Sequence, residues 1–180
     1  VLSYKFNNFR EEDMSHFLDV VRFNEAARGA LPHTPTKLSH ADTKLALRLV
    51  LEESFECVTA MFDPDSAVYK RLLSHHEHMQ YVLKTETTAR DLQQDDVELL
   101  DGLCDTLVVA MGMAAMAGLP LDEGMDVVNA SNLAKIDPVS GRCIKDAGGK
   151  IQKPAGWVKP DLAAVIERAR EHGNRGAKPC

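Results

Sequence analysis

Residues 48–58 are RLVLEESFECV and residues 97–109 are VELLDGLCDTLVV. Six carboxylates interrupt these otherwise apolar runs: Glu52, Glu53 and Glu56 in the first, Glu98, Asp101 and Asp105 in the second. Side chains three and four residues apart share one face of a helix. Glu52 and Glu53 therefore both lie near Glu56, and Glu98, Asp101 and Asp105 form a second acidic stripe. Acid on the inner side of an apolar helix is costly unless something positive neutralises it. Two such faces turned toward each other would cage a hard divalent cation such as magnesium or manganese with oxygen ligands. The plain alternative is a pair of amphipathic helices with solvated acidic faces, helped by Arg48 four residues before Glu52. Leu100, Leu103, Cys104, Leu107 and Val108 crowd Asp101 and Asp105 and weigh against it.

Outward from these runs the pattern stays helical. An apolar stripe from Met14 to Ala26 predicts a helix over 11–28, stopped by Gly29, Pro32 and Pro35. The first acidic run belongs to a helix over about 39–62, ended by Pro64, and the second to one over about 95–117, closed by Gly118 and Pro120. Residues 66–90 predict a more polar helix or helical insertion, and 121–135 a further helix. Residues 136–159 are turn-rich with room for a short hairpin, and 161–171 predict a last amphipathic helix after Pro160. Strand signals are nearly absent. The expectation is one all-α domain over residues 1–180, a helical bundle with a short turn-rich C-terminal segment.

A hydrophobic share of 44% suffices for a core, and an aromatic share of 6% leaves aliphatic and Met side chains to fill it. The formal charge of −6 argues against a general nucleic-acid binder. The charge is uneven: residues 142–180 hold nine Lys/Arg and four Asp/Glu (+5), the remainder twelve and twenty-three (−11). An acidic body with a basic arm suits a metal site that meets a polyanion; a solvated tail explains the arm equally well. Cys57, Cys104, Cys143 and Cys180 form no CxxC pair. Cys57 and Cys104 are expected as small buried side chains in a reducing, cytoplasmic setting. No membrane partner is expected, because Asp105 breaks the longest apolar stretch, 103–119. No basic segment followed by an apolar one marks a secretory leader.

EESFE and ELLD are EExxE and ExxD motifs, followed by SNLAK (131–135) and KPAGW (153–157). In this order, over about 12–62 and 95–165, they resemble the MazG-like all-α nucleoside triphosphate pyrophosphohydrolases. That group includes MazG, the dimeric dUTPases and phosphoribosyl-ATP pyrophosphohydrolase, and the C-terminal GGKIQKPAGWVKPDL resembles the dUTPase-like and MazZ-like branch. The resemblance implies magnesium-dependent hydrolysis of a dNTP to dNMP and pyrophosphate, with manganese able to substitute, controlling the nucleotide pool. Purine (dATP/dGTP) and uracil (dUTP) substrates both fit. Glu53, Glu56, Glu98 and Asp101 would ligate the metal. Glu53 would also serve catalysis, and Glu52 would be a ligand or the base that orients water. Asn132, Lys135 and Lys153 would contact the nucleotide or its phosphates. Asp105 would support the ligands from behind or touch the sugar, and Asn24 is a candidate for base recognition, with others near His33 and Asn129. The assembly implied is a homodimer or tetramer with the site near the subunit interface, and the Met-, Ala- and Gly-rich stretch 103–118 favours oligomers on its own account.

Two departures stand out. The 41 residues between the motifs (57–97) exceed the usual spacing, and Phe23–Asn24 stands where relatives often have Phe–His. The rival from another class is a non-enzymatic helical regulator that binds metal or nucleotide. Phosphoribosyl-ATP hydrolysis is a third possibility, against which the KPxGW tail favours the nucleotide-pool branch. His75, His76 and His78 in HHEH are expected on a solvated helix face, GGK (148–150) in a turn, and Trp157 as a packing anchor or a base platform.

Overall fold

The computed structural model describes residues 15–147 and 149–176. Six α-helices follow one another: α1 (Ser15–Arg28), α2 (His40–Met61), α3 (Ala67–Tyr81), α4 (Asp96–Met116), α5 (Leu121–Leu133) and α6 (Leu162–Gly176). A π-helical turn (Val82–Glu86) and a 3-10 turn (Ala89–Asp91) link α3 to α4. The all-α class is as expected, and most helix ends lie within two residues of those read from the sequence, but the helix read over 66–90 ends at Tyr81 and gives way to the two turns, and the last helix runs to Gly176 rather than 171. The expected start of α1 at 11–14 falls outside the described residues.

Local chemistry explains these ends. Ser39 and Ser66 precede α2 and α3 and accept hydrogen bonds from the Asp42 and Tyr69 amides. The Asp95 carboxylate accepts from the Val97 and Glu98 amides and so begins α4. At its far end Leu119 N–H donates to Ala114 O and Gly118 N–H to Ala115 O, with Gly118 at φ +64°. This Schellman closure needs a left-handed residue, which glycine supplies without Cβ strain.

The chain divides into two compact units. One comprises residues 1–34 and 103–180. In it α5 packs on α1 and α6. Among its described residues the buried ones are Ala26, Ala114, Cys143, Val165, Asn129 and Ser131. Isolated bridges join Ile136 to Cys143 and Lys145 to Ile151, which is as much of the expected hairpin as forms. Cys143 N–H donates to Ala26 O, tying this segment to the end of α1. Of GGK, Gly148 lies outside the described residues; the other two lie in a turn as expected, with Gly149 at φ +82° donating its N–H to Asp146 O and Lys150 N–H donating to the Asp146 carboxylate.

The second unit is residues 35–102. The long segment between the acidic motifs supplies its packing. Phe55 of α2 stacks on His76 at 4.2 Å and on the buried Tyr69 at 6.2 Å, both from α3. Arg48 Nε donates to Gln80 Oε1, and Gln80 Nε2 returns a bond to Arg48 O. HHEH is largely but not uniformly solvated: His75, Glu77 and His78 are exposed, with His75 bonded to Arg71 O, while His76 is half-buried and stacks on Phe55.

The expected burial of two cysteines is overturned. Cys57 and Cys104 are exposed, and only Cys143 is buried among the described cysteines. The reason is that α2 has no buried residue and α4 buries only Ala114. By length and composition alone, the part of α4 beyond Glu98 is apolar enough to cross a membrane even with Asp101 and Asp105 in it, so Asp105 does not break the apolar stretch as read from the sequence. Asp101 and Asp105 lie within it, and each would cost roughly 2.5–3.5 kcal/mol at a bilayer centre. Val108 is 66% and Leu100 64% exposed, on a helix that is apolar nearly all round. Such a helix calls for cover.

Candidate functional site

The second unit carries five of the six carboxylates. Glu52, Glu53 and Glu56 lie on α2, and Glu98 and Asp101 on the first turns of α4. All five are exposed, so they do not line an apolar interior as the sequence suggested. The Glu53 carboxyl is nonetheless held above its ordinary value of 4.5, first by partial burial and then by repulsion from Glu56 and Glu52. Crowded acids of this kind are a donor set that a hard cation relieves. Among the described residues of one chain, however, no three potential ligands gather as a metal group. The donor chemistry fits a divalent cation, while the single chain does not close the cage. Asp105 lies farther along α4, also exposed, in the first unit.

The cationic candidates are brought together, in the first unit. Lys135, just past α5, donates to Asn132 Oδ1 at 2.8 Å. Its Nζ lies 5.5 Å from the Trp157 ring centroid and 5.7 Å from that of Phe23. Lys153 Nζ lies 4.3 Å from the Trp157 centroid. Trp157 is fixed in turn: its Nε1–H donates to Ser131 O at 2.9 Å, and Ser131 Oγ donates to Val158 O. Gly156, at φ +81°, permits the tight turn in which Trp157 N–H donates to Pro154 O. Beside Trp157 an open groove of about 420 Å³ runs between α5 and the tail, lined by Ala130, Ala134, Pro154 and Pro160 among others. Trp157 is thus an anchor, half-buried, and the gathering point of both lysines. The sequence signal for Phe23 is faint: it lies in the apolar stripe of the first helix, and the motif comparison gives a role only to its neighbour Asn24.

Asn24 donates its amide back to Val20 O within α1. Asn129 is buried against α1, with its amide 3.4 Å from His16 Nδ1.

The helix order is that of an all-α fold of the NTP pyrophosphohydrolase type. A protein from Exiguobacterium sp. 255-15, described as a candidate NTP pyrophosphohydrolase, has this fold with a TM-score of 0.65. It is 22% identical, over 88% of this chain and 97% of its own. The chain belongs to the phosphoribosyl-ATP pyrophosphohydrolase family, whose profile matches residues 20–132. That span contains both acidic motifs and ends at Asn132, before Lys135 and the KPAGW tail. No curated protein matches in sequence.

Proposed function

We propose that the chain is a magnesium-dependent (deoxy)nucleoside triphosphate pyrophosphohydrolase, manganese substituting, that converts a dNTP and water to a dNMP and pyrophosphate. The observation that carries this reading is family membership over a span holding both EExxE and ExxD. Glu53, Glu56, Glu98 and Asp101 are the metal ligands. When bound, the ions would neutralise triphosphate oxygens and lower the pKa of water. Glu52 orients the attacking water at the α-phosphorus. Asn132, Lys135 and Lys153 bind the nucleotide, the lysines offsetting charge on the leaving pyrophosphate. Asp105 and Asn24 are assigned to the sugar and base on resemblance alone.

The active form in this proposal is a homodimer or tetramer. Support comes from the exposed apolar surface of α2 and α4 and from the ungathered ligands of one chain. A second copy would cover the apolar surface and add carboxylates to those already present. The acidic chain binds no nucleic acid, and its carboxylate-bearing α4 belongs in an assembly rather than a bilayer.

Two substrate classes have separate support. Family membership favours phosphoribosyl-ATP. The KPAGW tail, beyond the matched span, favours pool nucleotides such as dATP, dGTP or dUTP. Incubation with magnesium and each of these, assayed for pyrophosphate against phosphate, separates the classes. No pyrophosphate from any of them would sink the enzyme reading in favour of a non-catalytic regulator.

A further inference from the structure

We propose that Trp157 is a positioning residue that holds Lys135 and Lys153 together as a two-cation site for a polyphosphate chain. The inference rests on the substrate role of these lysines proposed above and adds what arranges them.

Two ammonium groups repel, and long lysine side chains in water keep apart unless something collects them. An indole face attracts cations through its quadrupole within about 6 Å of the centroid. Lys153 and Lys135 satisfy that limit at 4.3 and 5.5 Å from one ring. Phe23 offers Lys135 a second ring and Asn132 Oδ1 a neutral acceptor. Among the described residues, no carboxylate pairs with either lysine. No described carboxylate therefore neutralises either positive charge while their positions are held. The bond from Trp157 to Ser131 O anchors the platform to α5, so the tail residue Lys153 and the helix-end residue Lys135 act from one frame.

A polyvalent anion suits this pair better than a neutral base, because it answers both charges at once. A cation already lies 4.3 Å from the centroid, so a base stacking on that face would have to displace it.

Trp157 is the sole tryptophan, so its emission reports on the site directly. The full chain is titrated with inorganic pyrophosphate, and separately with tripolyphosphate, in EDTA at constant ionic strength. The expected result is a saturable change in emission, absent with adenosine or uridine. Calorimetry then compares variants. Lys135→Met and Lys153→Met each weaken pyrophosphate binding on the order of tenfold. Trp157→Leu weakens it by a similar factor, and Trp157→Phe, which keeps an aromatic face, restores most of it. Under turnover Trp157→Leu raises KM for the nucleotide more than it lowers kcat, with the melting curve checked for folding. Nucleosides moving the emission while pyrophosphate does not would overturn the proposal in favour of a base platform. Unchanged pyrophosphate affinity in a folded Trp157→Leu would overturn it too, even with turnover intact. Tight pyrophosphate binding without hydrolysis of any nucleotide would support the two-cation site while removing the enzyme reading.

Discussion

Lys135 and Lys153 meet at Trp157 within one unit of a single chain, whereas the carboxylates of α2 and α4 stand in solvent there. The difference lies in what surrounds each set. The lysines border a segment stitched to α5 and α1 by hydrogen bonds from Trp157, Ser131 and Cys143. The acids sit on α2, which buries no residue, and on α4, which buries only Ala114. The lysine site is built by intrachain packing. The carboxylates are set on helices and ungathered, which is the condition the proposed second copy would change.

The comparison breaks most directly at the acids. Glu53→Gln and Asp101→Asn are expected to lower metal-dependent pyrophosphate release by about a hundredfold or more, since even groups behind a metal ligand carry 10–100-fold effects. Circular dichroism should show helical content kept. Unchanged turnover in both variants removes the metal assignment.

Next in size is assembly. Leu100→Glu combined with Val108→Glu places two charges on the exposed apolar surface of α4. Burying them unpaired costs several kcal/mol, so sedimentation should show a shift toward monomer. A wild-type chain that sediments as a monomer at all concentrations would instead leave α4 without the partner proposed for it.

The cysteines sharpen the same contrast more gently. In a Cys180→Ser background, Cys57 and Cys104 should react with a thiol reagent before Cys143, which is buried and whose pKa burial raises above 9.0. If copies associate through α2 and α4, the first two should slow as protein concentration rises, and Cys143 should not change. Equal rates for all three at high dilution would contradict the exposure difference.

The smallest effect lies in the tail. Asp137 accepts hydrogen bonds from Ser140 N–H and Oγ–H, which hold its carboxyl below the ordinary 3.8. A lowered pKa in the folded state gives stability that is present above the unfolded value and lost as pH falls through the folded one. The turn at 137–141 should therefore loosen only in strong acid. Ser140→Ala should bring the Asp137 titration, followed by NMR, back toward 3.8; no movement would mean the bonds do not set it.

Much of the helix plan was legible because it is local. Ser39, Ser66, Asp95 and Gly118 mark helix ends through hydrogen bonds to residues two to five positions away, and periodicity supplied the spans between. The pairing of Asn132 with Lys135 was likewise within reach at three residues. Exposure was not legible. Apolar neighbours around Cys104 and Asp101 suggested burial, yet sequence records which side chains prefer to be covered, not whether another element of the same chain reaches them.

The segment 57–97, unexplained by motif spacing, has a structural use: α3 brings Tyr69, His76 and Gln80 to α2. The aromatic–cationic cluster shows the same limit from the other side. Phe23 and Trp157 are 134 positions apart in sequence, and no periodicity links them, but both rings flank Lys135. The sequence by itself determined the helices, their caps and the order of acidic and basic motifs, because these follow from neighbours along the chain. Only the tertiary structure decided that the lysines gather on one indole while the carboxylates stay exposed and close no metal cage within the described chain, because burial and long-range contact depend on which surfaces the folded chain brings together.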